Sequence, residues 1–201
     1  MTNETDNNVN VFFTSDTWFG RVNILELRNR SEFKTINEMD NKIITNWNKL
    51  VKPNDIVYVC TNFTTDPHSL AKAARSLNGH IMIINGGENQ ALLEMVEQNK
   101  EEYPNIEILY EQIYPLVEYD AIVSPYPLKD WPGKETGTLN IHGYTNVLKD
   151  IDIVDGSINV SIDLWEYCPV EINRLIRYVN LMRTKRDKIY EFNKERENQQ
   201  N

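Results

Sequence analysis

Three short apolar runs, Val9 to Ser15, Asp55 to Cys60 and His80 to Asn85, alternate with two segments of helical periodicity, and no other feature constrains the fold as much. Each run is rich in β-branched or aromatic residues, the composition of a buried strand. Between the first two, Ile36, Met39, Ile43, Ile44 and Trp47 recur at helical spacing and predict a helix over Thr35 to Leu50. Thr35 and Glu38 have the capping-box spacing at its start. Between the second and third runs, Asp66 followed by Pro67 predicts a helix that reaches about Leu77 and ends at Asn78-Gly79. Strand, helix, strand, helix, strand is an α/β pattern with a partly parallel sheet. Ligand sites in such sheets lie at the carboxyl ends of the strands. Here those ends are Asp16, Thr61-Asn62 and Gly86-Gly87-Glu88-Asn89.

The remaining chain adds elements to that frame. Val22 to Leu27 reads as a short helix and Gln90 to Glu101 as an acidic one. Ile106 to Leu109, Tyr114 to Val117, Asp120 to Val123, Leu139 to His142 and Ser157 to Ile162 read as strands. A long amphipathic helix starts at Val170 and runs to about Phe192, with Ile172, Leu175, Ile176, Val179 and Met182 on one face. At 201 residues, one domain with a sizeable core is expected, spanning 9–182. Residues 1–8 read as a disordered tail and 183–201 as a charged helix end or tail.

Charge and composition narrow the function. The net charge is −9, which argues against direct nucleic-acid binding, because phosphate neutralisation needs clustered Lys and Arg. It suits a basic protein partner instead. No apolar run approaches the length of a membrane span, and the polar, Asn-rich stretch Met1 to Asn10 is no secretory signal. Cys60 and Cys168 are too few and too far apart for a disulfide framework or a zinc site, so a reduced cytoplasmic setting is expected.

The strand-end residues resemble those of the calcineurin-like metallophosphoesterases of the small bacterial and phage type. The resemblance rests on Phe12-Phe13-Thr14-Ser15-Asp16-Thr17 with Phe19-Gly20, on Met39-Asp40 with Asn46-Trp47-Asn48, and on Val51-Lys52-Pro53-Asn54-Asp55. Asn78-Gly79, Tyr126-Pro127-Leu128, His142-Gly143 and Asp163-Leu164-Trp165 extend it. It implies a β-sandwich of mixed sheets flanked by helices, with two divalent metals that activate a hydroxide on a phosphate ester. The same resemblance exposes what is missing. Where the family has Asp then His, this chain has Asp16 then Trp18. Gly-Asp becomes Thr61-Asn62, and Gly-Asn-His-Asp becomes Gly86-Gly87-Glu88-Asn89. The His before Tyr-Pro becomes Pro125, and Gly-His-x-His becomes Gly143-Tyr144-Thr145-Asn146. Of that ligand set only Asp16 is unchanged. Asn62 and Asn146 are neutral donors that only supplement carboxylates. One or two negative charges, from Asp16 and Glu88, do not offset the repulsion between two dications.

The expectation is therefore a pseudoenzyme with no metal or other cofactor and a relic site of Asp16, Trp18, Asn62, Gly87, Glu88, Pro125, Tyr144 and Asn146. Asp16 is expected to accept backbone N–H bonds in the following turn, and Trp18, Pro125 and Tyr144 to fill the space the metals vacate. Glu88 is either an acid–base group or, more simply, a carboxylate near the start of the following helix. The alternative is a minimal metal-dependent phosphoesterase on Asp16, Asn62, Glu88 and Asn146. A second feature is an acidic stretch interleaved with aromatics: Glu94, Glu97, Glu101, Glu102, Tyr103, Glu107, Tyr110 and Glu111. It reads as a solvated face or as a docking surface for a basic protein. The chain is also similar to a staphylococcal phage protein that binds the host primary sigma factor and inhibits RNA polymerase. That similarity implies a phage-encoded protein acting on host machinery, with the sigma factor as partner.

Overall fold

The computed structural model describes residues 9–86, 90–144 and 156–198. Its strands are β1 (Val11–Thr14), β2 (Ile56–Val59), β3 (His80–Ile84), β4 (Ile106–Leu109), β5 (Tyr114–Leu116), β6 (Ala121–Ser124), β7 (Leu139–His142), β8 (Ser157–Asn159) and β9 (Val170–Glu171). The helices are α1 (Ile24–Leu27), α2 (Ile36–Leu50), α3 (Pro67–Ser76), α4 (Gln90–Gln98) and α5 (Ile172–Asn198). One sheet has the order β4-β3-β2-β1-β9, parallel except for β9. The other has the order β5-β6-β7-β8, with only β5 antiparallel. The α/β architecture of two mixed sheets with flanking helices and a long last helix is thus present.

Side-chain alternation along β1 builds two cores from one strand. Phe12 points to the helix side, where it joins Val57, Val59, Ile81 and Ile83 with Met39, Ile43 and Trp47 of α2 and Leu70 of α3. Phe13 and Val11 point the other way, to Tyr58 and Cys60 and across to Val123, Ile141 and Ile158 of the second sheet. Burial on both faces explains why these strands read as continuous apolar runs. Leu175 and Val179 of α5 close the inter-sheet core.

The helix starts follow their sequence signals. The Thr35 hydroxyl accepts from Glu38 N–H at 3.2 Å, and the Glu38 carboxylate reaches back to the Lys34 N–H at 2.9 Å, one residue beyond the usual capping-box partner. The Asp66 carboxylate accepts from Ser69 N–H at 2.7 Å, with Pro67 in the first turn of α3.

Two boundaries differ from expectation. The strand expected to reach Ile162 ends at Asn159, because the Asn159 side chain accepts from Ser161 N–H at 2.8 Å and draws the backbone out of the ladder. Ser161 then bridges to Ser15 and so ties the two sheets together. Val170 begins not a helix but β9, whose Val170 pairs with Phe13 and covers the edge of β1. The last helix starts at Ile172 and continues past Phe192 to Asn198. Arg183, the first residue of the stretch read as a charged helix end or tail, is partly exposed and donates to the Gly137 carbonyl at 3.3 Å. No described helix is long and apolar enough to cross a membrane.

Candidate functional site

The carboxyl ends of β1 and β2 stay paired beyond the regular ladder. Asp16, Trp18 and Phe19 donate their N–H groups to the carbonyls of Thr61, Asn62 and Phe63 at 3.1, 2.9 and 3.0 Å. Three residues of this ribbon are left-handed: Asp16 at φ 58°, Trp18 at φ 53° and Asn62 at φ 56°. Asp and Asn adopt that conformation readily, whereas for a bulky indole it costs on the order of 1 kcal/mol. The effect is to turn the Asp16 and Asn62 side chains toward each other.

The Asp16 carboxylate is wholly buried, and it meets side chains rather than the backbone N–H groups expected. Asn62 Nδ2 donates to one oxygen at 2.6 Å. Arg28 Nη2 lies 3.0 Å from the other, an ion pair without hydrogen-bond alignment. Arg28 also approaches Asp163 at 3.4 Å and donates to the Ser161 hydroxyl at 3.3 Å. Arg30, fully buried, makes a two-pronged pair with Asp163 at 2.6 and 3.1 Å and donates to the Asp16 and Thr17 carbonyls at 2.6 and 3.1 Å. Two guanidiniums therefore face two carboxylates in one buried cluster, with charges that balance. Burial pushes the Asp16 carboxyl above its ordinary range, while Arg28 and then Asn62 pull it back.

A divalent metal does not fit this arrangement. Asn62 presents its amide nitrogen to one Asp16 oxygen, and the Arg28 guanidinium stands 3.0 Å from the other. Among the described residues no group of three His, Cys, Asp or Glu is disposed to hold a metal. The Asn62 oxygen is buried without a hydrogen-bond partner among the described residues.

The expected relic residues divide. Pro125 lies against the third strand end: a Cβ on Gly86 would sit 3.2 Å from Pro125 Cβ and 2.8 Å from Thr61 Oγ1. Gly143 abuts β1 so closely that a Cβ there would come within 2.1 Å of Ser15 Oγ. Tyr126 donates its hydroxyl to the Gly86 carbonyl at 2.9 Å and meets the Tyr144 ring edge-on at 5.9 Å. Pro125 and Tyr144 are thus packing groups at the strand ends. Trp18 instead joins the helix-side core, with the Arg21 guanidinium 3.9 Å above its ring. The groups that meet Asp16 are Asn62 and Arg28, not the indole. Gly87, Glu88 and Asn146 lie outside the described residues.

His142, beside this region, is buried, and its Nδ1 lies 2.8 Å from the Gly143 carbonyl. A carbonyl only accepts, so Nδ1 carries the proton of a neutral ring. Burial lowers its pKa from 6.5 to about 4. Sequence reasoning missed Arg28, Arg30 and Ser161 as members of the site, and it used Asp163 only as a motif residue. The available signal was Arg28-Asn29-Arg30 directly after α1. Asn29, at φ 53°, sits at the turn that carries both arginines to the cluster.

The acidic stretch forms the surface around β4. Glu94, Glu101, Glu102, Glu107, Tyr110 and Glu111 are exposed, and Glu97 partly so. Tyr103 is the exception: at 5% exposure it packs in the helix-side core and offers no side chain to a docking surface. A groove of about 340 Å³ runs beside this stretch, lined by Met82, Glu97, Lys100, Tyr103, Glu107 and Tyr110 among others.

Comparison with known proteins places the fold. AQ665, a protein of unknown function from Aquifex aeolicus, matches with a TM-score of 0.63 and 23% identity, over 85% of this chain and 100% of that one. The chain shares its fold. MJ1445 of Methanocaldococcus jannaschii, described as uncharacterized, is 26% identical over 182 residues, 84% of this chain and 90% of that protein. A structure described as a novel archaeal phosphodiesterase matches with a TM-score of 0.43 and 14% identity, over 76% of this chain and 82% of that one. No family model matches.

Proposed function

We propose that this chain is a binding protein on a metallophosphoesterase-like scaffold and does not hydrolyse phosphate esters. The observation that carries the reading is the guanidinium of Arg28 against the buried carboxylate of Asp16, where hydrolysis would require a metal. Two-metal chemistry needs a clustered set of anionic or imidazole ligands with an open coordination position. Here the one carboxylate kept from that set is already neutralised by the chain's own cation.

Binding then falls to the surface. The acidic face around β4 suits a basic protein through charge complementarity, which steers encounter and sets orientation. The specific partner suggested by the sequence resemblance is the primary sigma factor of a bacterial host, with inhibition of transcription as the outcome of a phage-encoded protein in the host cytoplasm. The reading is tested on the purified protein. Metal content and hydrolysis of an aryl phosphodiester with Mn²⁺ are measured first, then binding to purified sigma factor by surface plasmon resonance at low and moderate salt. No metal-dependent turnover and salt-sensitive binding are expected. Turnover abolished by Asp16→Ala would overturn the non-hydrolytic reading, and absence of binding at either salt would remove the sigma factor.

A further inference from the structure

We propose that the outer edge of β4 accepts an extended, basic segment of a partner protein as an added strand. This rests on reading the acidic face as a docking surface and specifies how that surface is used. Among the described residues β4 ends its sheet, with β3 on one side only. Ile81 donates to the Asn105 carbonyl at 2.8 Å and Asn85 to the Leu109 carbonyl at 2.9 Å, and Ile83 is in register with Ile108. The alternation of a parallel ladder then turns the main-chain groups of Glu107 and Leu109 toward β3 and those of Ile106 and Ile108 outward. The Ile106 N–H is taken by the Tyr103 carbonyl at 3.0 Å. The Ile106 carbonyl and both Ile108 groups have no such partner among the described residues. At the opposite end of the sheet, β9 covers β1.

The edge also has somewhere for side chains to go. The groove beside β4 joins apolar surface from Met82 to the carboxylates of Glu97 and Glu107. Tyr110, 53% exposed, and Ile113, 44% exposed, extend apolar surface past the strand's end. An extended peptide presents alternate side chains to two sides, so apolar and basic residues in alternation match floor and rim. Lys100, which also lines the groove, is paired with Glu97 at 3.2 Å. A second copy of this chain is the wrong occupant, because its β4 would bring Glu97, Glu107 and Glu111 against their own counterparts.

The test uses the full chain and three labelled peptides. One alternates valine and lysine, one alternates valine and glutamate, and one repeats the valine–lysine sequence with alternate amides N-methylated. Affinity is read by fluorescence anisotropy and pairing by hydrogen exchange over residues 106–110. The valine–lysine peptide is expected to bind and to slow exchange at Ile108 and Tyr110 about tenfold, and N-methylation to weaken it about tenfold by removing donors. Tyr110→Pro is expected to weaken binding more than Tyr110→Ala, which keeps the N–H. Equal binding of the N-methylated peptide, or binding without protection at Ile108, would overturn strand addition and leave the acidic docking face intact. Failure of the valine–lysine peptide to bind would overturn both. Sedimentation showing a dimer whose Ile108 amide is already protected would assign the edge to a second copy and sink the proposal.

Discussion

The Arg28 guanidinium stands 3.0 Å from the Asp16 carboxylate, with side-chain exposures of 10% and 0%. An ion pair at that depth adds little net stability over an apolar replacement, but removal of one partner strands the other charge. Arg28→Ala is therefore expected to destabilise the protein by about 3–5 kcal/mol, and Arg28→Met combined with Asp16→Asn by much less. Urea denaturation of the variants reads the difference. Equal losses would mean that the pair is not coupled.

The same pair sets the outcome of introducing metal-ligand residue types beside Asp16. Trp18→His with Asn62→Asp returns two of the residue types that metal chemistry uses. Arg28 and Arg30 remain, so calorimetric titration with Mn²⁺ is expected to show no saturable binding. Adding Arg28→Ala removes the cation nearest Asp16 and is expected to raise affinity. Saturable binding by the first variant would show that Arg28 moves aside, and the non-hydrolytic reading would then need revision.

His142 predicts an acid-sensitive step. Its folded pKa is lowered from 6.5 to about 4, so the unfolded chain takes up its proton first as pH falls. The stability it contributes is complete above pH 6.5 and is lost as pH falls toward about 4. A shift of that size corresponds to about 3 kcal/mol. Asp16 and Asp40, both raised by burial, act in the opposite sense: their contribution is present at low pH and lost as pH rises through their raised values. Comparison of wild type with His142→Gln at each pH isolates the imidazole. The variant is expected to show a shallower loss of stability between pH 6.5 and 4.5, and parallel curves would contradict a neutral buried ring.

Gly143 marks where the two sheets touch. A Cβ there would lie 2.1 Å from Ser15 Oγ and 3.0 Å from Thr61 Cγ2, so Gly143→Ala is expected to cost about 1–3 kcal/mol by overpacking. Ser15→Gly in the same chain removes both the hydroxyl and the Cβ that the alanine would meet. Thermal melts of the single and double variants should therefore differ, with the double variant recovering part of the loss.

The frame of the fold was legible because buried parallel strands and amphipathic helices write their periods into the sequence. Phe12 and Phe13, or Ile43 and Trp47, needed no knowledge of distant contacts. The end of β8 and the start of α5 were not legible, since one depends on a side chain turning onto its own backbone and the other on an edge that β9 must cover. The site was half readable. Departures from the ligand pattern of the resembled family could be counted along the chain, but the contacts made in their place could not. Arg28 and Asp163 lie far apart in sequence, and tertiary contacts such as Arg30 with Asp163 and Phe33 with Tyr167 bring their segments together. Tyr103 misled because its neighbours are acidic, although its own ring belongs to the core.

One consequence follows from the left-handed turn at Asn29, which sits between Arg28 and Arg30. A counter-ion borne on the polypeptide is held at an effective concentration that no dissociating ion in solution matches. A scaffold neutralised in this way is expected to keep its shape whatever the supply of divalent ions. Treatment with a chelator, which empties a metal centre, is expected to leave this one as it was.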